Sequence, residues 1–348
     1  MSDLLKKLAN WSVPHDWLKI TTIDTHTAGE PLRIVTSGIP ELPGDTMLAK
    51  RRYMMKNYDH LRKKLMWEPR GHADMYGCII TLPVTPEADF GVIFMHNEGY
   101  SSMCGHGIIA ITKVAIESDL VKKVEPRTTV RIDSPAGLIT ATANIKNSKV
   151  GKVSYQNVPS YVVALDSEIE IPEYGKIKYD LAFGGAYYAY VQAADIGLTC
   201  YPKYIDKLIQ VGRKIKKAVS NAVNIKHPYD DELSFLYGTI FIDKPKDSNS
   251  HSRNVCIFAD GEVDRSPTGT GVSGRLAIHY ARGEIGVGEP ITIESIIGTK
   301  FEGRVIEQTR FGSFDAIIPE ITGETFITGK HEFYVNPEDE LGVGIFIR

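Results

Sequence analysis

Two short segments, CGHG at 104–107 and TGTG at 268–271, decide how this sequence is read. Aligning Cys104 with Thr268, an offset of 164 residues, also lays VIF (92–94) over CIF (256–258), Glu98 over Glu262 and Ser102 over Ser266. Each copy then runs into an apolar stretch, IIAITKVAIE in the first and VSGRLAIHYA in the second. The shared identities are few, but the spacing is matched: a strand, a loop, an X-G-x-G turn and a buried helix. The pattern predicts two similar domains made by duplication, each pointing a helix N-terminus at a shared cleft. Such an end presents unpaired backbone N–H groups and a partial positive charge. Glycines at 105, 107, 269 and 271 let the backbone approach a ligand closely. Two ends facing each other hold a carboxylate or phosphate without an arginine. Neither loop has the G-x-x-x-x-G-K or G-x-G-x-x-G run of a nucleotide site, so a small carboxylate is favoured. The alternative is a pair of tight turns that only pack strand on helix.

The rest of the chain narrows the function class. Its 348 residues are 43% hydrophobic and 24% charged, with a net charge of −3, an ordinary soluble composition of a length that suits about two domains. A near-neutral balance without a basic stripe argues against a nucleic-acid partner. No apolar run approaches the ~20 residues of a membrane span, and the opening MSDLLKKLANWSVPHDW is too interrupted for a secretory signal. Four scattered cysteines without C-x-x-C exclude a disulfide scaffold or zinc ribbon and suit a reducing cytoplasm. No clustered ligand set calls for a metal. Strands are predicted at 18–24, 91–95, 152–158, 187–192, 254–259 and 314–318 from β-branched and aromatic content. Apolar spacing predicts helices over 47–66 and 204–222. The polar run KPKDSNSHSR (244–253) reads as an exposed loop.

Within this frame a few side chains carry chemistry. Cys104 stands at the start of the first repeat's helix, where the N-terminal dipole favours a thiolate able to act as nucleophile or base; alternatively it is a small buried residue. His106 either donates to a substrate group or is a structural histidine bonded to backbone. Asp264, in DRSPTGTG, either pairs with a substrate ammonium or caps a turn, with Arg265 its local partner in both cases. Cys78, Cys200 and Cys256 read as core. Tyr187, Tyr188 and Tyr190 form an aromatic strand that suits a cleft wall and a core equally. His26 and Arg33 read as shaping the first strand and turn.

MCGHG (103–107) and DRSPTGTG (264–271) resemble the proline racemase family, and DTHTAGEP (24–31), FGGAYYA (183–189) and SIIGTKFEGR (295–304) match further landmarks of that family in order. The resemblance covers essentially the whole chain. It implies an α/β, diaminopimelate-epimerase-like fold: two similar domains, each with strands wrapped around a central helix, and a ligand between them. It places residues 1–133 plus about 326–348 in the first domain and 134–325 in the second. Racemases of this family use two cysteines flanking the substrate α-carbon. The first matches Cys104; the second falls on Thr268. A threonine hydroxyl is a far weaker acid than a thiol and supplies no thiolate at neutral pH. The chain therefore resembles the branch of trans-3-hydroxy-L-proline dehydratases. By that resemblance Cys104 is the single base, backbone N–H groups of Gly105, His106, Gly269 and Thr270 hold the carboxylate, and Asp264 and His106 contact the ring nitrogen of a cyclic imino acid. Thr268 holds the second-base position, there to bond the substrate or pack against it. No metal or organic cofactor is implied. The competing readings are a proline racemase or hydroxyproline 2-epimerase, a dehydratase for another β-hydroxy amino acid, and a non-catalytic amino-acid-binding module. The sequence is silent on oligomeric state and leaves a homodimer open.

Overall fold

The computed structural model describes residues 3–347. Met1 and Ser2, at the head of the first expected domain, and Arg348, at the end of the expected return segment, lie outside the described residues. Among the described residues five α-helices stand in the order α1 (Asp3–Ala9), α2 (Met47–Met66), α3 (Gly105–Glu117), α4 (Ile205–Ala222) and α5 (Gly269–Ala281). Between them, eighteen strands are joined by hydrogen bonds into one continuous, curled sheet. None of the described helices is long and apolar enough to cross a membrane.

The duplication read from the sequence reappears element by element. Gly105 to Gly269 and Glu117 to Ala281 are both steps of 164 positions, so α3 and α5 have the same length. Both helices are apolar nearly all round, as a helix enclosed on every side must be. Strands 18–27, 30–37, 137–146 and 149–156 pack on α3, and strands 160–171, 175–183, 300–311 and 314–323 pack on α5. The outer helices α2 and α4 also correspond. Thr46 caps α2 by accepting the Ala49 N–H at 3.0 Å, and Met47, Met54, Leu61 and Leu65 face a core with Ile20, Ile79 and Ile93. In α4 the buried stripe is Leu208, Val211, Ile215 and Val219, each worth roughly 1.5–3 kcal/mol when taken out of water.

The chain crosses between the halves twice. Strand Lys149–Gln156 pairs with Phe314–Gly323, with Gln156 opposite Glu320. Strand Thr325–Val335 then leaves the second half and pairs antiparallel along the whole of Leu18–Thr27. Both central helices thus sit in fixed strand shells, which is what holds their N-termini in place.

One expectation needs correcting. The polar run 244–253 is not wholly an exposed loop: Ser252 and Arg253 begin the strand Ser252–Phe258. Arg253 is only 1% exposed, because its guanidinium reaches Glu294 at 2.7 Å and the Cys200 carbonyl at 3.3 Å. A charge can be buried where its partner is buried with it.

Candidate active site

The N-termini of α3 and α5 meet end to end. A Cβ built on Gly105 would fall 2.7 Å from the Gly269 Cα, and one on Gly269 would fall 2.9 Å from the Gly105 Cα. Only glycine permits that approach. The Tyr155 hydroxyl is wedged at the same point, 2.2 and 2.3 Å from those two Cβ positions, and it is buried without a hydrogen-bond partner.

Beside this junction lies a small cavity of about 20 Å³. Its wall includes every expected site residue: Cys104, Gly105 and His106 from the start of α3, and Asp264, Thr268, Gly269 and Thr270 from the loop and start of α5. The two helix ends are not equivalent. Cys104 is extended (φ −144°) and its Sγ accepts the Gly107 N–H at 3.3 Å, capping its own helix. Thr268 lies at φ +66° and makes no side-chain cap. For a β-branched residue that conformation is an outlier of the kind found at functional sites. Its hydroxyl is buried, with only the Cys256 thiol, a weak partner, beside it.

The electrostatics correct the expectation that Cys104 has a lowered pKa. Burial pushes its thiol up, and the nearby Asp264 and Glu30 carboxyls push the same way; the Gly107 N–H and the Tyr76 hydroxyl oppose them without reversing the shift. Dipole and cap are real, but desolvation by the surrounding protein outweighs them. Burial also depresses His106 to about 4, against smaller raising influences from Asp264 and a hydrogen bond to the Pro31 carbonyl. His106 is therefore a neutral imidazole at neutral pH, with Nδ1 3.2 Å from the Cys104 sulfur. Its ring also bonds the Pro31 backbone, and its own carbonyl accepts the Thr27 hydroxyl at 3.0 Å.

Asp264 accepts the Ser266 N–H at 2.7 Å, which turns the loop so that its carboxylate faces the cavity. The expected pairing of Arg265 with Asp264 is not made. Arg265 turns the other way, its backbone N–H donating to Glu30 at 2.7 Å and its guanidinium lying 3.4 Å from Glu30 and 3.6 Å from Asp74. The three tyrosines of strand Tyr187–Gln192 divide between roles. Tyr188 walls the cavity and bonds Thr270 Oγ1 at 2.8 Å, Tyr190 donates to the Gly271 carbonyl at 3.0 Å, and Tyr187 bonds Tyr161 in the core. Cys78, Cys200 and Cys256 are buried. Arg33 pairs with Asp24 at 2.9 Å and His26 accepts the Gly29 N–H at 3.3 Å, so both brace the first hairpin.

Sequence reasoning missed four residues. Tyr76, Tyr237 and Phe258 complete the cavity wall, and buried Glu30, held well above the usual carboxylate range mainly by desolvation, ties the first hairpin to Arg265. Tyr76 lies within the apolar strand YGCIIT and carries no local signal beyond strand propensity; Glu30 lay in plain sight inside DTHTAGEP. Among the described residues no group of three or more His, Cys, Asp and Glu is arranged to hold a metal ion. A larger groove elsewhere is lined by Arg253, Glu294, Asp247 and Lys300, but these charges already neutralise one another as ion pairs.

The proline racemase family profile matches residues 22–346. The chain belongs to the proline racemase family. A protein of Colwellia psychrerythraea named trans-3-hydroxy-L-proline dehydratase is 53% identical over 95% of this chain and 94% of its own. A Burkholderia multivorans protein named 3-hydroxyproline 2-epimerase is 44% identical over 94% of this chain and 98% of its own. The crystal structure of a hydroxyproline epimerase from Agrobacterium vitis, with bound trans-4-hydroxy-L-proline, superposes with a TM-score of 0.89 at 31% identity, over 95% of this chain and 96% of that one. The fold is accordingly the diaminopimelate-epimerase-like α/β fold.

Proposed function

We propose that this chain is a cofactor-independent hydro-lyase that converts trans-3-hydroxy-L-proline to pyrroline-2-carboxylate and water. The observation that carries the reading is the single thiol of the cavity wall. Cys104 stands at one helix end, and the corresponding position of the other holds Thr268. Relatives at 53% and 48% identity bear the dehydratase name. A relative named as an epimerase at 44% makes epimerisation the alternative to be excluded.

The stereochemistry suits one base. In the trans isomer the carboxylate and hydroxyl lie on opposite ring faces, so the α-hydrogen and the 3-hydroxyl share a face. Cys104 thiolate on that face takes the α-proton. The N–H groups of Gly105, His106, Gly269 and Thr270 hold the carboxylate and stabilise the enediolate-like charge as it forms. Asp264 pairs with the ring ammonium, and that positive charge offsets the burial that raises the free thiol. His106, neutral at pH 7, contacts the ring nitrogen as donor or acceptor without adding charge. Loss of the 3-hydroxyl leaves the 2,3-enamine, which tautomerises to the imine. The domains that frame the cleft are read as residues 1–133 plus about 326–348 and residues 134–325, with strands 137–146 and 149–156 of the second lying against α3 of the first. The setting is read as cytoplasmic and the assembly as a homodimer, which sedimentation of the purified chain checks.

The test is proton NMR of the protein with trans-3-hydroxy-L-proline in D2O, with L-proline in a parallel tube. Consumption of the first to pyrroline-2-carboxylate with no D-proline in the second is the expected result. Accumulation of an epimerised hydroxyproline or of D-proline would overturn the single-base reading, and line broadening without turnover would favour a binding module.

A further inference from the structure

The reaction needs an acid for the departing hydroxide, and the cavity wall contains hydroxyl groups with no evident use in binding. Tyr76, Ser101 and Tyr237 form a buried chain: the Tyr76 phenol bonds Ser101 Oγ and lies 3.4 Å from the Tyr237 phenol. The Tyr76 ring stands edge-on to His106 with centroids 5.0 Å apart, and Tyr76 shares the cavity wall with Cys104, whose thiol its hydroxyl favours in the charged form. Both tyrosines line the cavity. An apolar wall would enclose a pyrrolidine ring as well, and burying three hydroxyls is unfavourable unless each is satisfied.

We propose that Tyr76 is the general acid that protonates the 3-hydroxyl as it leaves. This rests on the dehydratase reading above. The α-hydrogen and the 3-hydroxyl share a face, so the acid must stand next to the base, and Tyr76 is the phenol beside Cys104. The step balances without a co-reactant. The C2–H pair becomes the C2–C3 π bond, its proton passes to the Cys104 thiolate, and the C3–O bond breaks. The Tyr76 O–H proton converts the leaving hydroxide to water. The tyrosinate then takes the proton from the Cys104 thiol, restoring both groups. Burial and the Cys104 charge raise the Tyr76 pKa, which keeps it protonated at neutral pH, and hydroxide is a far stronger base than any phenolate. The other residues near the sulfur serve less well: neutral His106 is a poor acid, and Asp264 is committed to the ring nitrogen.

The decisive comparison is Tyr76→Phe assayed on two substrates, trans-3-hydroxy-L-proline and its 3-chloro analogue of the same ring geometry, whose chloride leaves without a proton. The expected result is a fall in kcat of about 10²-fold or more on the hydroxyl substrate, in the range of general acid catalysis, with chloride elimination unchanged within a few-fold. Equal losses on both substrates in a folded variant, or a loss on neither, would overturn the proposal. Should the phenylalanine variant not fold, 3-fluorotyrosine at position 76 is nearly isosteric and more acidic. It must then move the alkaline limb of the kcat profile to lower pH, and an unmoved limb rejects the role. If the unaltered protein eliminates neither water nor chloride, the dehydratase reading itself has failed, which separates that failure from this one.

Discussion

Replacing Gly105 by alanine tests whether the abutting helix ends are what the cavity depends on. The new Cβ would lie 2.2 Å from the Tyr155 hydroxyl, 2.7 Å from the Gly269 Cα and 3.2 Å from its carbonyl carbon. Ordinary carbon contacts need about 3.5–4.0 Å, so α3 and α5 must separate by roughly 1 Å. Neither helix is free to slide, because strands enclose both. Overpacking of this kind costs about 1–3 kcal/mol, and the upper end applies where the obstacle is backbone. A displacement near 1 Å at the reacting groups lowers turnover by about 10²-fold. Urea unfolding and kcat on the hydroxyproline substrate measure the two effects. Gly99→Ala, where nothing lies within 4 Å of the new Cβ, is the matched control. Gly269→Ala meets the same two neighbours, so the double variant should cost less than the sum of the singles. If Gly105→Ala stays within about 0.5 kcal/mol and a few-fold in kcat, or if the two alanines add, the end-to-end geometry does not govern the site.

The other expectations are more direct. Cys104→Ser should lower kcat by about 10³-fold or more while a proline-like carboxylate still binds by calorimetry; retained turnover would remove Cys104 from the base position. Thr268→Cys should introduce measurable exchange between epimers, seen by chiral chromatography, since it supplies a thiol opposite Cys104; a well-folded variant with no such exchange would refute the two-base logic. Burial raises the Cys104 thiol, so its alkylation by iodoacetamide in the ligand-free protein should be slow at pH 7 and accelerate into the alkaline range, whereas a rate already at plateau near pH 7 would mean that the dipole wins. His106 binds its proton at about 4 when folded and about 6.5 when unfolded, so the unfolded chain binds more protons across that window and stability rises with pH through it, by up to about 3 kcal/mol. His279 is depressed to about 4 as well, so His106→Gln should reduce that slope without abolishing it, and an unchanged slope assigns it elsewhere.

What could be read from the sequence was mostly local. The apolar spacing of Met47–Met66 is a property of the segment itself, and the predicted bounds agree with the helix. The 164-residue offset found the two helix ends because a duplication leaves its spacing even where identities have faded. Features that depend on distant partners were not legible. Arg253 reads as a loop residue until Glu294, 41 positions away, is placed beside it. Tyr155 reads as one more inward strand residue, and only folding sets its hydroxyl between Gly105 and Gly269. The sign of the Cys104 shift failed for a related reason. A helix N-terminus is visible in sequence, whereas the exclusion of water around it is a property of the closed cavity. The return of Thr325–Val335 to Leu18–Thr27 was implied by family resemblance alone, since no local pattern specifies which strand an edge will join.

The unused hydroxyl of Thr268 leads to the remaining prediction. Two unfavourable features coincide there: a β-branched residue at φ +66° and a buried hydroxyl with only the weak Cys256 thiol beside it. The first costs on the order of 1–3 kcal/mol and the second a similar amount. Valine has the same branching at Cβ, so Thr268→Val leaves the backbone strain nearly as it is and removes only the poorly satisfied hydroxyl. If the hydroxyl merely fills space, the ligand-free protein should gain about 1 kcal/mol and KM should not change. If its partner is the substrate, the ligand-free protein should gain the same stability while KM rises several-fold, because the bond is made only in the complex. Thr268 lines the cavity, and inside the protein its hydroxyl faces only the Cys256 thiol, a weak hydrogen-bond partner, so the second outcome is the expected one. Thermal unfolding with and without a saturating carboxylate ligand separates the two: the valine variant should melt higher when empty and gain less from the ligand. A variant that melts lower when empty would show that the hydroxyl has a partner within the protein, and a substrate role would then have no support.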